Sequence, residues 1–461
     1  MEDYSKNIHK HIEANKETFP NIEALYLHQF GDTIIADPNG TEANALNERL
    51  GLVVTITLDG IKYESAGSLN NPNSIHTLFD NAIQLAKQKE KKQSSGKFQP
   101  EESKSLYKDF PNTPYETCDL NEKLEHAKSL VTQISKLSPN VISNKVLFRH
   151  TVNRELYINP KKKLSQQLSR FEAVFTAILK DENDGKVVRV FDGYGKVGGW
   201  EKRIPDNELL AEMIEDGHHM LKAKRVIPGF YDCIFDPSLS GILAHEAFGH
   251  GTEADTMVRK RAKGSAYLNK KVASDLVNIS DSPNLTENAA GYYFDHEGQL
   301  SDETRIIENG ILRNPITDHR SSYFLGAKRT ANGRRESYDR KTYTRMSNTY
   351  FKGGTDKLDA MISSIENGLL LRRASNGMED PKTWGIQLEA LIAQKIENGK
   401  LKDEYYSPII VTGNVPDILK SISMATEGFH INGLGMCGKG HKEWVKVTDG
   451  GPYLKLRARI A

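Results

Sequence analysis

The chain has 461 residues, with 62 Lys and Arg against 61 Asp and Glu, so its formal net charge is +1. This balance argues against nucleic-acid binding, which typically uses a clustered basic face. The length exceeds the about 250 to 300 residues that one hydrophobic core supports, so at least two domains are expected. Three cysteines favour a reducing compartment. The sequence has neither a secretory-type start nor a stretch of about 18 apolar residues, so a cytoplasmic location is expected.

The first half of the chain is predicted to mix helices and short strands. An N-terminal helix precedes short strands, including one at 51–58, and a helix through 75–89. The charged, apolar-poor stretch 87–101 predicts a polar linker or loop near 88–118. Further helices are predicted at 120–137 and 205–224, with strands between them at 145–150, 156–159, 171–179 and 186–191. His218 and His219 are expected to face solvent. Residues 1–225 are therefore expected to form an N-terminal α+β region.

The second half, residues 226–461, is predicted to be mostly β-structure after one helix. Asn309-Gly310 and Asn398-Gly399 are strong signals for tight hairpins. No repeat of 20 to 50 residues is visible, which argues against a solenoid or propeller. Strands are predicted at 277–279, 305–307, 343–350, 368–373, 386–398 and 408–411. The expected fold class is α+β, with a smaller mixed N-terminal region and a large sheet-rich C-terminal domain carrying a metal-site helix.

The most informative motif is HEAFGH at 245–250, which places two histidines and a glutamate within six residues. Asp236-Pro237 is typical of a helix start, so the motif is expected to end an apolar helix. On a regular α-helix, the five-residue spacing would leave His245 and His250 about 140° apart. A π-turn would realign them, and such turns occur mostly at functional sites. Gly249 lowers the cost of that distortion.

Two histidines alone are too few protein ligands for a catalytic zinc ion, which generally has three and an open position. Cys118 lies in the predicted linker and Cys233 in a predicted apolar strand, where cysteine is most often a small buried hydrophobe. Cys437 lies in a glycine-dense loop with Lys439, whose charge would favour the thiolate. Just after the histidine pair, two carboxylates are rival ligands, namely Glu253 and Asp255.

These residues belong to a longer pattern that resembles the TldD/PmbA metallopeptidases, a family also labelled modulators of DNA gyrase. The resemblance is specific over 230–440 and weaker before it. The matching blocks occur in family order: HEAFGHGTEAD (245–255), KVAS (271–274), DHEG (295–298), IENG (307–310), GRRES (333–337), RMSNT (345–349) and GMCGK (435–439). The chain is similar to the active TldD-type subunit and not to the partner type that lacks the motif. After Lys439 it departs from the shorter continuation of many members, which bears on substrate preference.

The resemblance implies a zinc-dependent peptidase acting on unfolded or extended peptides. It implies that His245, His250 and Cys437 bind one zinc ion per chain and that Glu246 is the catalytic base. It also implies an enclosed site in a homodimer, or in a heterodimer with an inactive paralogue, where an extended peptide adds to a sheet as a strand. The candidate segment for substrate binding comprises Arg345, Met346, Ser347, Asn348 and Thr349.

Two other function classes remain open on the sequence. A regulatory protein acting on DNA gyrase or on a toxin–antitoxin system would use a binding surface and would not need Glu246. A zinc amidase that matures a specific peptide natural product would use the same residues in a differently shaped pocket. Neither nucleic acid nor a membrane is an expected direct partner.

Overall fold

The computed structural model describes residues 2–71, 73–88, 105–440 and 443–461. Most of the predicted linker, at 89–104, lies outside the described residues. The remainder of that segment contains a short strand, Leu106–Asp109, which pairs in parallel with residues 162–165. Within the described residues, no helix is long and apolar enough to span a membrane.

The N-terminal half contains one large sheet and four helices among its described residues. The helices are α1 (Glu2–Asn15), α2 (Ser74–Lys87), α3 (Leu120–Leu137) and α4 (Asn207–Lys222). The strands are β1 (Ile22–Asp37), β2 (Gly40–Ala45), β3 (Arg49–Leu58), β4 (Ile61–Ser68), β5 (Leu106–Asp109), β6 (Val141–Ile158), β7 (Lys162–Lys180) and β8 (Val187–Val197). The main strand order is β4-β3-β1-β6-β7-β5, with β2 beside β1 and β8 beside β7.

Successive side chains of the long strands point to opposite faces of this sheet, and the helices cover one of these faces. Ala24 and Ile34 of β1 belong to cores that the helices cover, whereas Leu25 packs with Phe294 of the C-terminal half. The two strands predicted at 145–150 and 156–159 form one strand, β6, because the ladder with β1 and β7 continues through the intervening residues. The other face of the N-terminal sheet thus packs against the C-terminal half.

One expectation for α4 is wrong. His219 does not face solvent freely, because its ring stacks on Tyr405 with centroids 3.9 Å apart and its side chain is only 19% exposed. The contact joins the N-terminal half to the C-terminal half.

The C-terminal half has short helices and many strands. The helices are α5 (Pro237–Ala244), α6 (Ala254–Val258), α7 (His319–Leu325), α8 (Leu358–Ser363) and α9 (Val415–Lys420). The strands are β9 (Gly229–Phe235), β10 (Ile279–Asp281), β11 (Thr304–Glu308), β12 (Ile311–Leu312), β13 (Gly333–Arg334), β14 (Tyr343–Thr344), β15 (Asn348–Phe351), β16 (Asn367–Asp380), β17 (Gly385–Glu397), β18 (Lys400–Tyr406), β19 (Ile409–Asn414), β20 (Met424–Ala425), β21 (His430–Asn432), β22 (Met436–Lys439), β23 (Glu443–Lys446), β24 (Thr448–Gly451) and β25 (Leu454–Ile460).

Two sheets enclose helix α5. Strands β16-β9-β25-β19-β17 close into a barrel, because β17 also pairs with β16. A second sheet has the order β12-β11-β10-β15-β24-β21. Helix α5 contacts β16 of the barrel and β24 of the second sheet, and its apolar residues Leu239 and Leu243 are fully buried. The fold is α+β with a sheet-rich C-terminal half, as predicted.

Both Asn-Gly hairpins are confirmed. Asn309 and Gly310 join β11 to β12 with φ of 48° and 72°, and Asn398 and Gly399 join β17 to β18 with φ of 52° and 70°. The strand predicted at 343–350 is interrupted, because residues 345–347 lie between β14 and β15 and bond to other segments.

Candidate metal centre

Helix α5 ends in the π-turn that the histidine spacing predicts. The Asp236 side chain accepts a hydrogen bond from the Leu239 N–H at 2.8 Å, and Pro237 occupies the first turn. The helix runs to Ala244 and continues as a π-turn over His245–Gly249, followed by a tight turn over His250–Thr252. A Cβ atom at position 249 would overlap the sulfur of the buried Met346, so glycine lets the π-turn pack closely against this side chain. The five-residue spacing of the histidines thus coincides with a π-turn.

The π-turn brings the two histidine rings together beside Cys437. The ring centroids of His245 and His250 are 5.0 Å apart, and the rings are nearly perpendicular at 84°. The Cys437 Sγ atom lies 3.5 Å from His250 Nε2. One potential ligand atom from each of these three residues lies within 4.8 Å of the others. Three side chains that are common zinc ligands therefore converge on one point.

A hairpin delivers Cys437 to this point. Strands β22 and β23 pair so that Cys437 is opposite Val445, and both residues are buried. Arg345, which is 1% exposed, donates hydrogen bonds to the main-chain oxygens of Cys437 and Glu443, one on each strand. Arg345 is thus a positioning residue that fixes the hairpin against the core.

A carboxylate supports His250 from behind. The Nδ1 atom of His250 lies 3.1 Å from Glu253 Oε2, which also accepts from Lys439 Nζ at 3.0 Å. Lys439 donates as well to Asp255 at 2.7 Å and to the Thr344 main-chain oxygen at 3.0 Å. The two carboxylates weighed as rival ligands therefore form a second layer around the histidine and the lysine. A carboxylate on the outer nitrogen fixes the tautomer and the orientation of a ligating imidazole.

Charge interactions in the cluster favour the thiolate. Burial alone raises the pKa of Cys437, but the His250 and His245 rings outweigh it and hold that pKa well below the ordinary value. Burial opposes charge on His250, yet the Cys437 thiolate and the Glu253 carboxylate raise the pKa of this ring well above its ordinary value. The sequence predicted that Lys439 would stabilise the Cys437 thiolate. In the structure the two imidazoles stabilise it, while Lys439 binds the carboxylates of Glu253 and Asp255.

Glu246 projects from the π-turn toward strand β16. A Cβ atom at Gly377 would lie 2.8 Å from Glu246 Cγ, so the glutamate packs directly against the strand at a glycine. Glu379, two residues along β16, has both carboxylate oxygens buried without a hydrogen-bond partner among the described residues. Burial raises its pKa to about 8, although the nearby His250 lowers it. Burial likewise raises the pKa of Asp449 to about 6, opposed by His245.

Sequence reasoning missed Glu379 and Asp449. Neither belongs to a motif with recognisable spacing, and each reaches the histidines only through sheet pairing. The other two cysteines lie elsewhere, as expected. Cys233 is fully buried in β9, and Cys118 packs against the core under α3.

The segment expected to bind substrate has an internal role. Strand β15 is paired on both sides, with β10 and with β24, so Asn348 and Thr349 offer no free edge to a peptide. Asp281 accepts from the Ser347 N–H and from Thr349 Oγ1, both at 2.8 Å. Arg345, Met346, Ser347, Asn348 and Thr349 are each no more than 1% exposed. Both edges of β15 are therefore occupied by other strands of the chain.

Comparison with known proteins identifies the family of this chain. The family model described as the PmbA/TldA metallopeptidase C-terminal domain matches residues 228–459. A protein of Methanothermobacter thermautotrophicus named metalloprotease is 30% identical over 319 residues, which cover 69% of each chain. A zinc metalloprotease TldD homolog of Saccharolobus solfataricus is 29% identical over 342 residues, covering 73% of this chain and 75% of that one.

Solved structures share the fold at low identity. A putative modulator of DNA gyrase from Thermotoga maritima superposes with a TM-score of 0.77 at 15% identity, covering all of both chains. TldE from Thermococcus kodakarensis gives a TM-score of 0.73 at 15% identity, covering 98% of this chain and 99% of that one. Such identities establish the fold and no more.

The class follows from the matched domain and the named relatives, and it is that of a metallopeptidase. The chain belongs to the PmbA/TldD metallopeptidase family.

Proposed function

We propose that the protein is a zinc-dependent peptidase in which His245, His250 and Cys437 bind one zinc ion per chain and Glu246 is the general base. The observation that carries the proposal is the convergence of three ligand atoms within 4.8 Å, beside a glutamate on the same turn. Glu253, bonded to the outer nitrogen of His250, supplies the supporting carboxylate that ligating histidines usually have.

The donor set fits zinc. Two imidazoles and one thiolate leave a fourth tetrahedral position open, as in catalytic zinc sites, and mixed nitrogen and sulfur donors favour zinc over magnesium or calcium. The Nδ1 atom of His245 is buried and has no hydrogen-bond partner in the described part of the chain. A buried polar atom of this kind is costly unless a ligand satisfies it. A zinc ion would polarise a water molecule and the scissile carbonyl group.

Glu246 performs the proton transfers in this proposal. Glu246 follows His245 directly on the π-turn, and it is not one of the three residues whose ligand atoms converge, so it is available as a base. The carboxylate takes a proton from the attacking water and passes it to the leaving amine. The product is a hydrolysed peptide bond with a new carboxylate and a new amine.

The decisive test combines activity with metal content. Glu246→Gln should lower hydrolysis of unfolded casein by about 10² to 10⁴, the usual contribution of a general base, and retain one zinc per chain by elemental analysis. Wild-type protein prepared in parallel controls for contaminating proteases. Full activity in the variant, or an absence of bound zinc in active wild-type protein, would overturn the proposal.

For substrate binding we propose the free edge of β16. Residues 368–371 of this strand pair with β9, whereas residues 374–380 pair only with β17 among the described strands. That second part carries Gly377, which touches Glu246, and Glu379. An extended peptide added there would run past the cluster and bind through its main chain, with loose side-chain specificity.

Backbone N-methylation tests this edge. Peptides methylated at single amide nitrogens near the scissile bond should lose at least about tenfold in kcat/KM at alternating positions, because alternate amides face the strand. Side-chain changes of similar size at the same positions should cost less. Uniform tolerance of N-methylation at every position would exclude strand addition while leaving the metal site untouched.

We propose further that the active form is a dimer, either of two copies or with an inactive paralogue, that restricts the site to unfolded or extended peptides. Support comes from the shared fold with TldE. Native compact proteins should survive an incubation that degrades their unfolded forms. A monomer that is fully active at high dilution, by light scattering and assay, would contradict enclosure.

A division of the chain near residue 225 and a cytoplasmic location complete the proposal. The largest core draws only on residues 226–460, and another core draws only on residues 8–158.

The cysteines support the proposed cytoplasmic location. All three are free thiols, and oxidation of Cys437 would remove a proposed ligand, so a reducing compartment suits the protein. Limited proteolysis that never cuts near 225, or protein found outside the cytoplasm by fractionation, would contradict these two points.

A further inference from the structure

A cavity lies behind the hairpin that carries Cys437. Its volume is about 600 Å³, and it is enclosed by β1, β6 and β7 on one side and by C-terminal segments on the other. Seven Arg and Lys side chains line it, against four from Asp and Glu. The cavity is therefore rich in positive charge although the whole chain is nearly neutral.

Two of these cations are buried, and in the described part of the chain neither has a carboxylate within ion-pair distance. Arg170 and Arg334 are each 7% exposed. Arg170 donates to the main-chain oxygens of Ala289 and Gly291, and Arg334 donates to the main-chain oxygen of Met346. Among the described residues, neither guanidinium forms an ion pair within 4.0 Å. Burial and the neighbouring Arg334 charge lower the pKa of Arg170 to about 10, although Glu155 and Glu172 act in the opposite direction.

Two like charges buried close together destabilise a protein unless a counter-charge is present. The carboxylates of Glu155 and Glu172 in the cavity wall already contact other basic side chains, namely His296, Arg149 and Lys446. Main-chain oxygens satisfy only part of each guanidinium, which has five N–H donors. Planar guanidinium groups match carboxylates well, because two parallel hydrogen bonds can form. This side of the cavity is thus suited to an anionic group.

The opposite side of the cavity is apolar. Met436 and Trp444 lie on the face of the β22–β23 hairpin that points away from Cys437, as strand alternation requires. They are 42% and 47% exposed, whereas Cys437 and Val445 are 4% exposed. Leu168 and Phe294 extend the apolar lining. The cavity volume lies within the range of about 300 to 1,000 Å³ for small-ligand sites.

We propose that this cavity binds a peptide by its free C-terminal carboxylate, which lies between Arg170 and Arg334 while an apolar side chain packs on Met436 and Trp444. Each hydrolysed peptide bond creates one such carboxylate, so the reaction itself generates a ligand of this class. The site is separate from the cluster of His245, His250 and Cys437.

The hairpin couples the two sites. Lys446, opposite Met436, forms an ion pair with Glu172 on the cavity wall. A ligand that packs on Met436 and Trp444 would restrain the strands that hold Cys437. If the proposed zinc site is correct, the bound peptide slows zinc loss to a chelator; peptide binding itself does not depend on that site.

Trp444 provides the measurement. The chain has three tryptophans, and Trp200 and Trp384 are at most 2% exposed. We expect N-acetyl-Ala-Ala-Leu to change the fluorescence of the Glu246→Gln protein saturably, and the corresponding C-terminal amide to bind at least about tenfold more weakly. Trp444→Phe should abolish the signal. Equal affinity for acid and amide would overturn the proposal.

Two further arms identify the source of the anion. Succinate and inorganic phosphate should bind at least about tenfold more weakly than the peptide acid, because they cannot fill the apolar side. If either binds as tightly, the peptide assignment is wrong and the cavity binds a free anion. Binding that is lost in Cys437→Ala but kept in Arg334→Met would place the carboxylate at the metal and also overturn the proposal.

Variants locate the site on the cavity. Arg334→Met should weaken binding of the peptide acid at least about tenfold, whereas Arg189→Gln, an exposed arginine on β8, should not. Because loss of a buried arginine can destabilise the fold, Met436→Glu provides a second variant at an exposed position. It adds a repelling charge, and Leu401→Glu on β18 is its matched control. Unchanged binding in both Arg334→Met and Met436→Glu would overturn the assignment.

Discussion

The Nδ1 atom of His250 lies 3.1 Å from the Oε2 atom of Glu253, only three residues further along the chain. The tight turn after the π-turn makes this contact, and it leaves the Nε2 atom facing Cys437. A single short segment therefore contains both a potential ligand and the carboxylate that orients it.

Replacing Glu253 should weaken metal binding without removing a ligand. Glu253→Gln preserves the shape but removes the charge that orients His250, so zinc affinity should fall about 10- to 100-fold. Competition with a chromophoric chelator measures the change. Asp255→Asn is the control, because it contacts the same Lys439 but not His250. An equal loss in both variants would show that the lysine contacts, and not the orientation of His250, control affinity.

The three cysteines should differ sharply in their effect on metal content. Cys437→Ala removes a proposed ligand and should leave the purified protein largely free of zinc by elemental analysis, with a matching loss of activity. Cys118→Ala is the control, because Cys118 lies under α3 and away from the cluster. Zinc at one per chain in Cys437→Ala would refute the role of the thiolate.

A methyl group at Gly377 should impair catalysis while sparing the metal. In Gly377→Ala the new Cβ atom would lie 2.5 Å from Ile242 Cγ2 and 2.8 Å from Glu246 Cγ, so both side chains must move. A displacement of about 1 Å in a catalytic group can cost about 10² in rate, so kcat should fall by 10-fold or more at unchanged zinc content. Gly385→Ala, on the adjacent strand β17, is the control, since its nearest contact would be a normal 3.5 Å. Similar kcat values for the two variants would contradict the placement of Glu246.

Arg345 should control how firmly the hairpin holds its cysteine. Arg345→Met leaves the main-chain oxygens of Cys437 and Glu443 without a charged donor, and each such hydrogen bond contributes about 1.5 to 3 kcal/mol. We expect a lower Tm and faster zinc release to a chelator than in wild-type protein. Arg340→Met, at a half-exposed arginine, is the control. A fall in Tm with unchanged zinc release would assign Arg345 to general stability alone.

Local chemistry made part of this structure predictable. The start of α5 at Asp236, the π-turn before His250 and the Asn309-Gly310 hairpin each depend on residues within a few positions of one another. In such segments the steric preferences of the chain decide the conformation. The sequence pattern therefore contained the necessary information.

The remaining features of the fold and the site depend on contacts between distant segments, which local sequence patterns do not predict. Cys437 is 187 residues from His250, and only the family resemblance indicated their proximity. Glu379 and Asp449 reach the cluster because β16 and β24 flank α5, which no local pattern encodes. The segment 345–349 has a strand-like sequence, but its pairing partners on both sides decide that it is internal.

The π-turn also fixes the angular phase of the chain that follows it. It contains one residue more than an α-helical turn, and deleting Phe248 would place the two histidines four residues apart on one face of a regular helix. The pair would survive, and Glu253 would keep its contact with His250, because both residues lie after the deleted position and only three residues apart. The π-turn therefore absorbs the extra residue of the HExxxH motif before the segment that contains the carboxylate begins. Motif length can change by one residue in such sites while the source of the supporting carboxylate stays the same.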